Sequence, residues 1–353
     1  MDYKQQQQTK ITQRLRELLA DMPDFLTTFF RGMADIKTIQ TRINYGYDLR
    51  NFLTFLSEEV TRFNHKPTAE FTLADLEQVT ATDIEFFLEH VTLYTKTYTH
   101  TKEHDIQRTN EATGKSRKLS AIRSLYNYFM QKEQLKVNPA LLIDTPKIKD
   151  KNIIRLEVNE VALLLDHVED GTNLTKKQLE YHRVTRIRDL CLMTLLLGTG
   201  MRVSECVGIN TEDISLDDNY IMITRKGGNQ SVIYFGEEVR EVLLAYLKER
   251  VDIETKEEND DALFLSMQKR RITERAVQNL VKKYAKGTIS TKNISPHKLR
   301  STFGTNLYQE TGDIYLVATA LGHVDVNTTK KHYASIDEER KRSAAKVVKL
   351  RKN

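Results

Sequence analysis

Apolar residues recur with helical spacing along the first half of the chain. In residues 41–60 they fall three or four positions apart, near one face of a helix. The same spacing returns in residues 81–94 and 117–133. The apolar positions of the first segment are Ile43, Tyr47, Leu49, Phe52, Leu53 and Phe55. The pattern predicts a helical first domain.

Polar segments interrupt this pattern at two places. Residues 95–116 are polar and rich in threonine, which predicts a surface loop. Residues 138–152 contain two prolines and a lysine-rich end, which is typical of a linker between domains. We therefore divide the chain into a domain of residues 1–150 and a second domain of residues 151–353.

The second half mixes helices with a pair of strands. Residues 186–200 are strongly apolar and end at glycines, as a buried helix does. Two short apolar runs at 219–224 and 231–236 flank the turn RKGGNQ and predict a β-hairpin. Further helices are expected at 237–251, 273–286, 295–310, 313–321 and about 327–351. The expected fold is mostly α with a small β-sheet, and the second domain is mixed α/β.

The bulk properties narrow the class of protein. At 353 residues the chain can form two domains with separate cores. It contains no apolar run long enough to span a bilayer, and its polar N-terminus lacks the apolar segment of a secretory signal. Cys191 and Cys206 lie in apolar helical contexts and form no CxxC pair, so we interpret them as reduced core residues. These features predict a cytoplasmic protein without a membrane anchor.

Positive charge is concentrated in one segment, although the net charge is only +5. Residues 268–300 contain ten Lys and Arg against the single acid Glu274. Such a density fits contacts with phosphates, and a solvated helix face is the alternative. We define the basic stripe as Lys269, Arg270, Arg271, Arg275, Lys282 and Lys283.

Four short motifs carry side chains that can act on a phosphate. Arg202 and Glu205 in MRVSE share one face of a helix, so the carboxylate can hold the guanidinium. Lys226 lies in the predicted hairpin turn, where glycines allow close approach to a partner. Taken singly, the first pair is more often a surface ion pair, and a turn lysine is more often solvated.

The other two motifs lie nearer the C-terminus. In SPHKLR, a serine and a proline predict the start of a helix, which places His297 and Arg300 on its first turn, where a phosphate oxygen binds well. His323 ends a helix in LGH, and Tyr333 follows ten residues later. A single tyrosine in a helix is more often a core residue than a catalytic one.

The combination is more informative than its parts. Two arginines, a lysine, two histidines and a tyrosine suit attack on a phosphodiester, because guanidinium groups neutralise the phosphate oxygens and a nearby phenol becomes a nucleophile. No dense cluster of Asp and Glu accompanies them in the sequence, which disfavours two-metal nuclease chemistry. Neither a metal nor an organic cofactor is expected.

The order and spacing of these motifs resemble the tyrosine recombinase/integrase family. The matching positions are Arg202 in GTGMRVSE, Lys226 in the hairpin turn, His297 and Arg300 in HKLR, His323 in LGH, and Tyr333. The resemblance spans the chain. It implies a helical core-binding (SAM-like) domain followed by a catalytic domain, the two forming a C-shaped clamp on DNA with the basic stripe against it.

The resemblance also implies a role for each residue that makes or breaks a bond. Tyr333 would attack the scissile phosphate and give a 3′-phosphotyrosyl link with a free 5′-hydroxyl. Lys226 would protonate the leaving 5′-oxygen, and His297 would assist proton transfer from the tyrosine.

The remaining positions would stabilise the phosphate. Arg202 and Arg300 would neutralise the pentavalent phosphorus centre, with Glu205 orienting the first of them and His323 hydrogen-bonding the phosphate. His332, although next to the tyrosine, matches no family position.

Size and layout look most similar to the Xer-type branch, because the chain begins almost directly with the core-binding domain. That favours resolution of chromosome dimers at a dif-like site, and so chromosome partition at cell division, over integration or excision of a phage or transposable element. The expected partners are double-stranded DNA with a short inverted repeat and three further copies of the chain. They would form a homotetramer on two sites that passes through a Holliday junction, with the basic C-terminal tail docked on a neighbouring subunit.

An FtsK-like DNA translocase is a further expected partner, and the expected location is the nucleoid in the cytoplasm. Three other classes stay open on the residues alone. One is a DNA-binding regulator that has lost its catalytic activity, and one is a type IB topoisomerase. The third is a metal-dependent hydrolase using His297, His323 and His332.

Overall fold

The computed structural model describes residues 3–96, 106–147, 154–225, 228–256, 261–289, 291–323 and 325–326. The chain divides into two compact units, Met1–Asp150 and Lys151–Asn353. The small β-sheet and the prevailing helices confirm the predicted fold class.

The first unit is built from helices around an aromatic and aliphatic core. Phe29, Phe52, Phe87 and Leu125 are fully buried at its centre. The helices are α1 (Tyr3–Ala20), α2 (Asp24–Gly32), α3 (Ile39–Glu59), α4 (Leu73–Glu77), α5 (Ala81–His90) and α6 (Ala112–Gln131).

The polar segment at 95–116 is not simply a loop. Strand β1 (Leu93–Lys96) pairs antiparallel with β2 (Ile106–Thr109), and α6 starts at Ala112. Tyr94, Thr95, Ile106 and Thr109 favour extended backbone, which explains the two paired strands. Residues 97–105 lie outside the described residues, so the loop prediction stays a prediction there.

The start of the predicted linker is also ordered. A short 3-10 helix at Pro139–Leu142 buries its first two residues, and Arg123 donates a hydrogen bond from Nε to the Ala140 carbonyl oxygen at 3.0 Å. These contacts tie the first part of the linker to α6, so residues 138–142 belong to the first unit.

The second unit contains seven helices and a sheet within its described residues. The helices are α7 (Val158–Asp170), α8 (Lys176–Thr199), α9 (Val203–Val207), α10 (Glu237–Arg250), α11 (Glu274–Thr288), α12 (Pro296–Thr311) and α13 (Ile314–Leu321). The antiparallel sheet has the order β3 (Ile214–Ser215), β4 (Tyr220–Thr224) and β5 (Gln230–Tyr234).

The hairpin of β4 and β5 confirms the predicted strand pair. Helix α8 begins ten residues before the predicted start at residue 186, and Thr175 caps it through a hydrogen bond from Gln178 N–H. The helix predicted at about 327–351 lies outside the described residues.

The end of α8 is fixed against α12. Gly200 closes α8 with a φ of 62°, a conformation that glycine adopts without steric cost. A β-carbon at this position would lie 2.9 Å from Cγ of Phe303 and closer still to Cδ1. The absence of a side chain therefore lets α12 approach the point where the chain leads into Arg202.

Cys191 and Cys206 are free and buried, as predicted. Burial raises the pKa of both thiols, and the Glu205 carboxylate raises that of Cys206 further. Both groups therefore stay protonated at neutral pH and are not nucleophiles. None of the described helices is long and apolar enough to cross a membrane.

Candidate active site

Arg202 is held by Glu205 at the start of α9. The carboxylate accepts from Arg202 Nη1 at 2.7 Å through Oε1, and from the Arg202 backbone N–H at 2.7 Å through Oε2. The Glu205 side chain is only 4% exposed, whereas that of Arg202 is 38% exposed. A buried carboxylate thus orients a guanidinium that still reaches solvent and can meet a ligand.

Arg300 is buried between the ends of two other helices. Its Nη1 donates to the Gly200 carbonyl oxygen at 2.7 Å, and its Nη2 donates to the Leu321 carbonyl oxygen. These carbonyls lie at the C-terminal ends of α8 and α13, where the helix dipole favours a cation. Arg300 therefore links α8, α12 and α13 at one point.

The two arginines meet at the last residues of α13. Arg202 Nη2 lies 3.4 Å from the Gly322 carbonyl oxygen, next to the Leu321 carbonyl that Arg300 contacts. His323 follows directly, and its backbone N–H donates to the Ala318 carbonyl oxygen at 2.9 Å. The structure thus brings together Arg202, Arg300, Glu205 and the backbone that carries His323.

His297 lies on the first turn of α12, three residues before Arg300, and is exposed. Ser295 occupies the N-cap position as expected, but its side chain makes no capping hydrogen bond within the described residues. Its carbonyl oxygen accepts from Lys298 N–H at 2.8 Å, and Pro296 supplies the first helical residue. The ring of His323 is half-buried.

Lys226, Tyr333 and His332 lie outside the described residues. The residue before the lysine, Arg225, is described and closes the turn between β4 and β5. Its side chain reaches Gly322. No local motif in the sequence points to this contact.

The basic stripe separates into two groups. Lys269, Arg270, Arg275 and Lys282 are exposed and available to a partner. Arg275 and Lys282 are seven residues apart on α11, so they lie on one face of that helix. For these four residues, contact with DNA stays a prediction.

The other two stripe residues are bound within the protein. Arg271 is 8% exposed and donates to the carbonyl oxygens of Val207 and Ile209 and to Asn210 Oδ1. Lys283 lies 3.4 Å from the buried Asp189. Arg271 therefore supports the loop after α9, and Lys283 supports α8. For these two residues too, contact with DNA stays a prediction.

Comparisons with known proteins identify the family of this chain. The sequence profile of the phage integrase family matches residues 155–340. A tyrosine recombinase XerC of Caldanaerobacter subterraneus subsp. tengcongensis is 31% identical over 333 residues, which cover 91% of this chain and 86% of that protein. Tyrosine recombinase XerS of Streptococcus agalactiae serotype III is 28% identical over 359 residues, which cover 96% and 99%.

A solved structure shows the same fold. The XerH recombinase bound to palindromic difH substrate, in a post-cleavage complex, superposes with a TM-score of 0.60 at 20% identity, over 92% of this chain and 94% of that one. The chain belongs to the phage integrase family. Within that family it is a tyrosine recombinase of the Xer type, an enzyme of site-specific DNA strand transfer.

Replacing Glu205 by glutamine is expected to slow DNA strand cleavage about 10- to 100-fold. The change removes the charge from a hydrogen bond worth about 1.5–3 kcal/mol, and the NH2 group of glutamine then faces one of the two Arg202 donors that the carboxylate accepts from. The measurement is the rate of cleavage in a single turnover.

Glu237→Gln is the matched control, because Glu237 forms an exposed pair with Arg240 at the same spacing of three residues and at 3.4 Å. This control should cleave at the wild-type rate. Equal rates for Glu205→Gln and the wild type would show that the buried carboxylate does not orient Arg202 for the reaction.

Proposed function

We propose that this protein cuts and rejoins DNA at a short inverted-repeat site through a covalent 3′-phosphotyrosyl intermediate formed by Tyr333. The observation that carries the proposal is the convergence of Arg202 and Arg300 on the carbonyl groups of Leu321 and Gly322. Both guanidinium groups are fixed by hydrogen bonds before any DNA arrives, so they lose little conformational freedom when a phosphate binds.

In the proposed cleavage step the Tyr333 phenol oxygen forms a bond to phosphorus, and the bond from phosphorus to the 5′-oxygen breaks. The phenol proton passes toward His297, and the leaving 5′-oxygen takes a proton from Lys226. Arg202, Arg300 and His323 stabilise the negative phosphate oxygens. Rejoining reverses these steps with a new 5′-hydroxyl, so the bond energy is conserved and no ATP is required.

We propose further that the biological reaction is resolution of chromosome dimers at a dif-like site. The similarity to a XerS protein over nearly the full length of both chains supports this assignment. Four copies would act on two sites through a Holliday junction in the cytoplasm, at the nucleoid, with an FtsK-like translocase as partner. Integration or excision of a mobile element is the alternative, and the DNA site that the protein cuts distinguishes the two.

The test captures covalent adducts in cells that express the wild type or Tyr333→Phe. The cells are lysed in denaturant, protein-linked DNA is recovered, and its ends are sequenced. The wild type should yield adducts at one inverted repeat, and Tyr333→Phe should yield none. The matched control is Tyr315→Phe, which makes the same change at an exposed tyrosine of α13.

Adducts that persist in Tyr333→Phe would assign the nucleophile to another residue. If the wild type binds DNA specifically but forms no adduct, the result would instead support a DNA-binding regulator without catalytic activity. Loss of cleavage in EDTA would support a metal-dependent hydrolase. A site in a housekeeping region of the chromosome supports dimer resolution, and a site at the ends of a mobile element supports integration.

A further inference from the structure

The side chain of Arg271 is buried at the end of α9, the short helix that carries Glu205. Its Nη1 donates to the Val207 carbonyl oxygen at 3.0 Å and to the Ile209 carbonyl oxygen at 3.1 Å. Its Nη2 donates to Asn210 Oδ1 at 2.6 Å. Val207 is the last residue of α9, and the last carbonyl groups of a helix have no partner within the helix. One guanidinium group therefore caps the C-terminal end of α9.

The backbone of Arg271 is held by the segment that comes before it. Arg271 pairs with Leu265 in an antiparallel bridge. The same segment also reaches the loop after α9, because the Leu263 N–H donates to the Ile209 carbonyl oxygen at 2.9 Å. Arg271 is thus a fixed point against which the end of α9 rests, and not a surface side chain that follows the helix.

Helix α9 depends on the contacts at its two ends because it is short. It contains only five residues, and a helix of this length is marginal in water without support from the rest of the fold. At its N-terminal end the Glu205 carboxylate accepts from the backbone N–H and from Nη1 of Arg202, both at 2.7 Å. At its other end Arg271 binds the Val207 carbonyl oxygen. A displacement at one end of so short a helix is therefore passed to the other.

We infer that Arg271 is a positioning residue for DNA strand cleavage, which holds α9 so that Glu205 keeps the guanidinium group of Arg202 at the phosphate. The inference rests on the proposed function, in which Arg202 stabilises the negative phosphate oxygens. A misplacement of about 1 Å in a catalytic group can cost about 100-fold in rate, so a smaller shift of α9 should cost about 10-fold.

This role separates Arg271 from a residue that binds DNA. A positioning residue acts after the DNA has bound, so its loss lowers the rate of cleavage at saturating DNA and leaves the dissociation constant unchanged. Loss of a phosphate contact would instead weaken binding and make the affinity less dependent on salt.

The role also separates Arg271 from a residue that only stabilises the fold. Its effect on the rate passes through Glu205, so the two substitutions should not be additive. Once Glu205→Gln has loosened Arg202, little should be left for Arg271 to contribute. A general loss of stability would lower the rate by the same factor in both backgrounds.

The experiment measures covalent adduct formation in a single turnover at saturating DNA. The substrate is a duplex that carries the site recovered by adduct capture. It is nicked just beyond the scissile phosphate, so that the short fragment with the free 5′-hydroxyl is lost and the adduct accumulates. Binding of the same duplex is measured at several salt concentrations. The variants are Arg271→Ala and Arg271→Lys, each made in the wild type and in Glu205→Gln.

Arg271→Ala should form the adduct about 10-fold more slowly than the wild type, with an unchanged dissociation constant. In the Glu205→Gln background the same substitution should change the rate by about 2-fold at most. Arg271→Lys should lie between alanine and the wild type, because it keeps the charge but its single ammonium group cannot serve all three acceptors. If Arg271→Ala does not fold, Arg271→Lys shows the same pattern with smaller changes.

Arg250→Ala is the matched control. Arg250 is 7% exposed, close to the 8% of Arg271, and it donates to the carbonyl oxygens of Ala262 and Ile253, both at 2.9 Å. Neither carbonyl belongs to α9. Arg250→Ala should therefore lose a similar free energy of unfolding in urea and still cleave at the wild-type rate.

A wild-type rate for Arg271→Ala would overturn the inference. An equal loss of rate in the wild type and in Glu205→Gln, or a loss in Arg250→Ala as large as that in Arg271→Ala, would overturn it in favour of general support of the fold. Slow cleavage with weaker, less salt-dependent binding would overturn it in favour of a DNA contact. These outcomes leave the proposed function intact. If the wild type itself forms no adduct, the proposed function fails, and the inference fails with it.

Discussion

Arg300→Lys is expected to lower the rate of covalent adduct formation by about 10²–10³-fold, the scale of a lost preorganised donor to a reacting oxyanion. The planar guanidinium of Arg300 can bind the carbonyl oxygens of Gly200 and Leu321 and a phosphate at the same time. Lysine keeps the positive charge, but its single ammonium group cannot make all of these contacts. The rate is measured in a single turnover on a nicked duplex that carries the site recovered by adduct capture. Circular dichroism checks that the variant is folded.

Arg240→Lys is the matched control for Arg300→Lys. Arg240 makes a 3.3 Å hydrogen bond to the Leu216 carbonyl oxygen and an exposed ion pair, so the same substitution should leave the rate unchanged. A methylphosphonate at the scissile position carries no negative charge, so it needs less stabilisation by a guanidinium group. With this substrate Arg300→Ala should therefore recover much of the rate that it loses on the natural phosphate. A wild-type rate for Arg300→Lys would remove Arg300 from the reaction.

The largest expected effect on stability comes from Asp189, which is 1% exposed at the contact of α8 and α11. Its carboxylate accepts from Arg188 at 2.6 Å and from the Tyr284 hydroxyl at 2.8 Å, and Lys283 lies at 3.4 Å. Asp189→Ala leaves two cations facing each other without a counter-charge. The free energy of unfolding should fall by about 3–5 kcal/mol, measured by urea denaturation.

The control for Asp189→Ala is Glu237→Ala, which removes an acid from an exposed ion pair. The free energy of unfolding should then change by less than about 1 kcal/mol. Similar losses for the two variants would mean that the cluster around Asp189 is solvated in solution and does not hold α8 in place.

The sequence predicts the elements around the site because their signals are local. The hairpin of β4 and β5 follows from two apolar runs and a glycine turn, and the end of α13 follows from the LGH motif at residues 321–323. The start of α8 was missed because residues 176–185 are polar on most sides. The strands Leu93–Lys96 and Ile106–Thr109 were missed because they are short and mostly polar.

Contacts between distant residues could not be predicted in this way. Arg225 and Gly322 belong to different elements, and only the packing of the hairpin on α13 brings them together. The same limit applies to the basic stripe. The distribution of charge along the sequence does not reveal that Arg271 is buried and donates hydrogen bonds to backbone carbonyl oxygens. Nor does it reveal that Lys283 has Asp189 as its partner.

We expect Tyr333 to become linked to DNA at the site formed by Arg202 and Arg300. The most direct measurement is mass spectrometry of the captured adduct after digestion with trypsin and nuclease. The peptide of residues 332–340, HYASIDEER, contains one tyrosine, one histidine and one serine, so fragmentation identifies the modified residue. We expect a nucleotide joined through its 3′-phosphate to Tyr333 and a free 5′-hydroxyl on the other DNA end. A nucleotide on any other residue, or one joined through a 5′-phosphate, would contradict it.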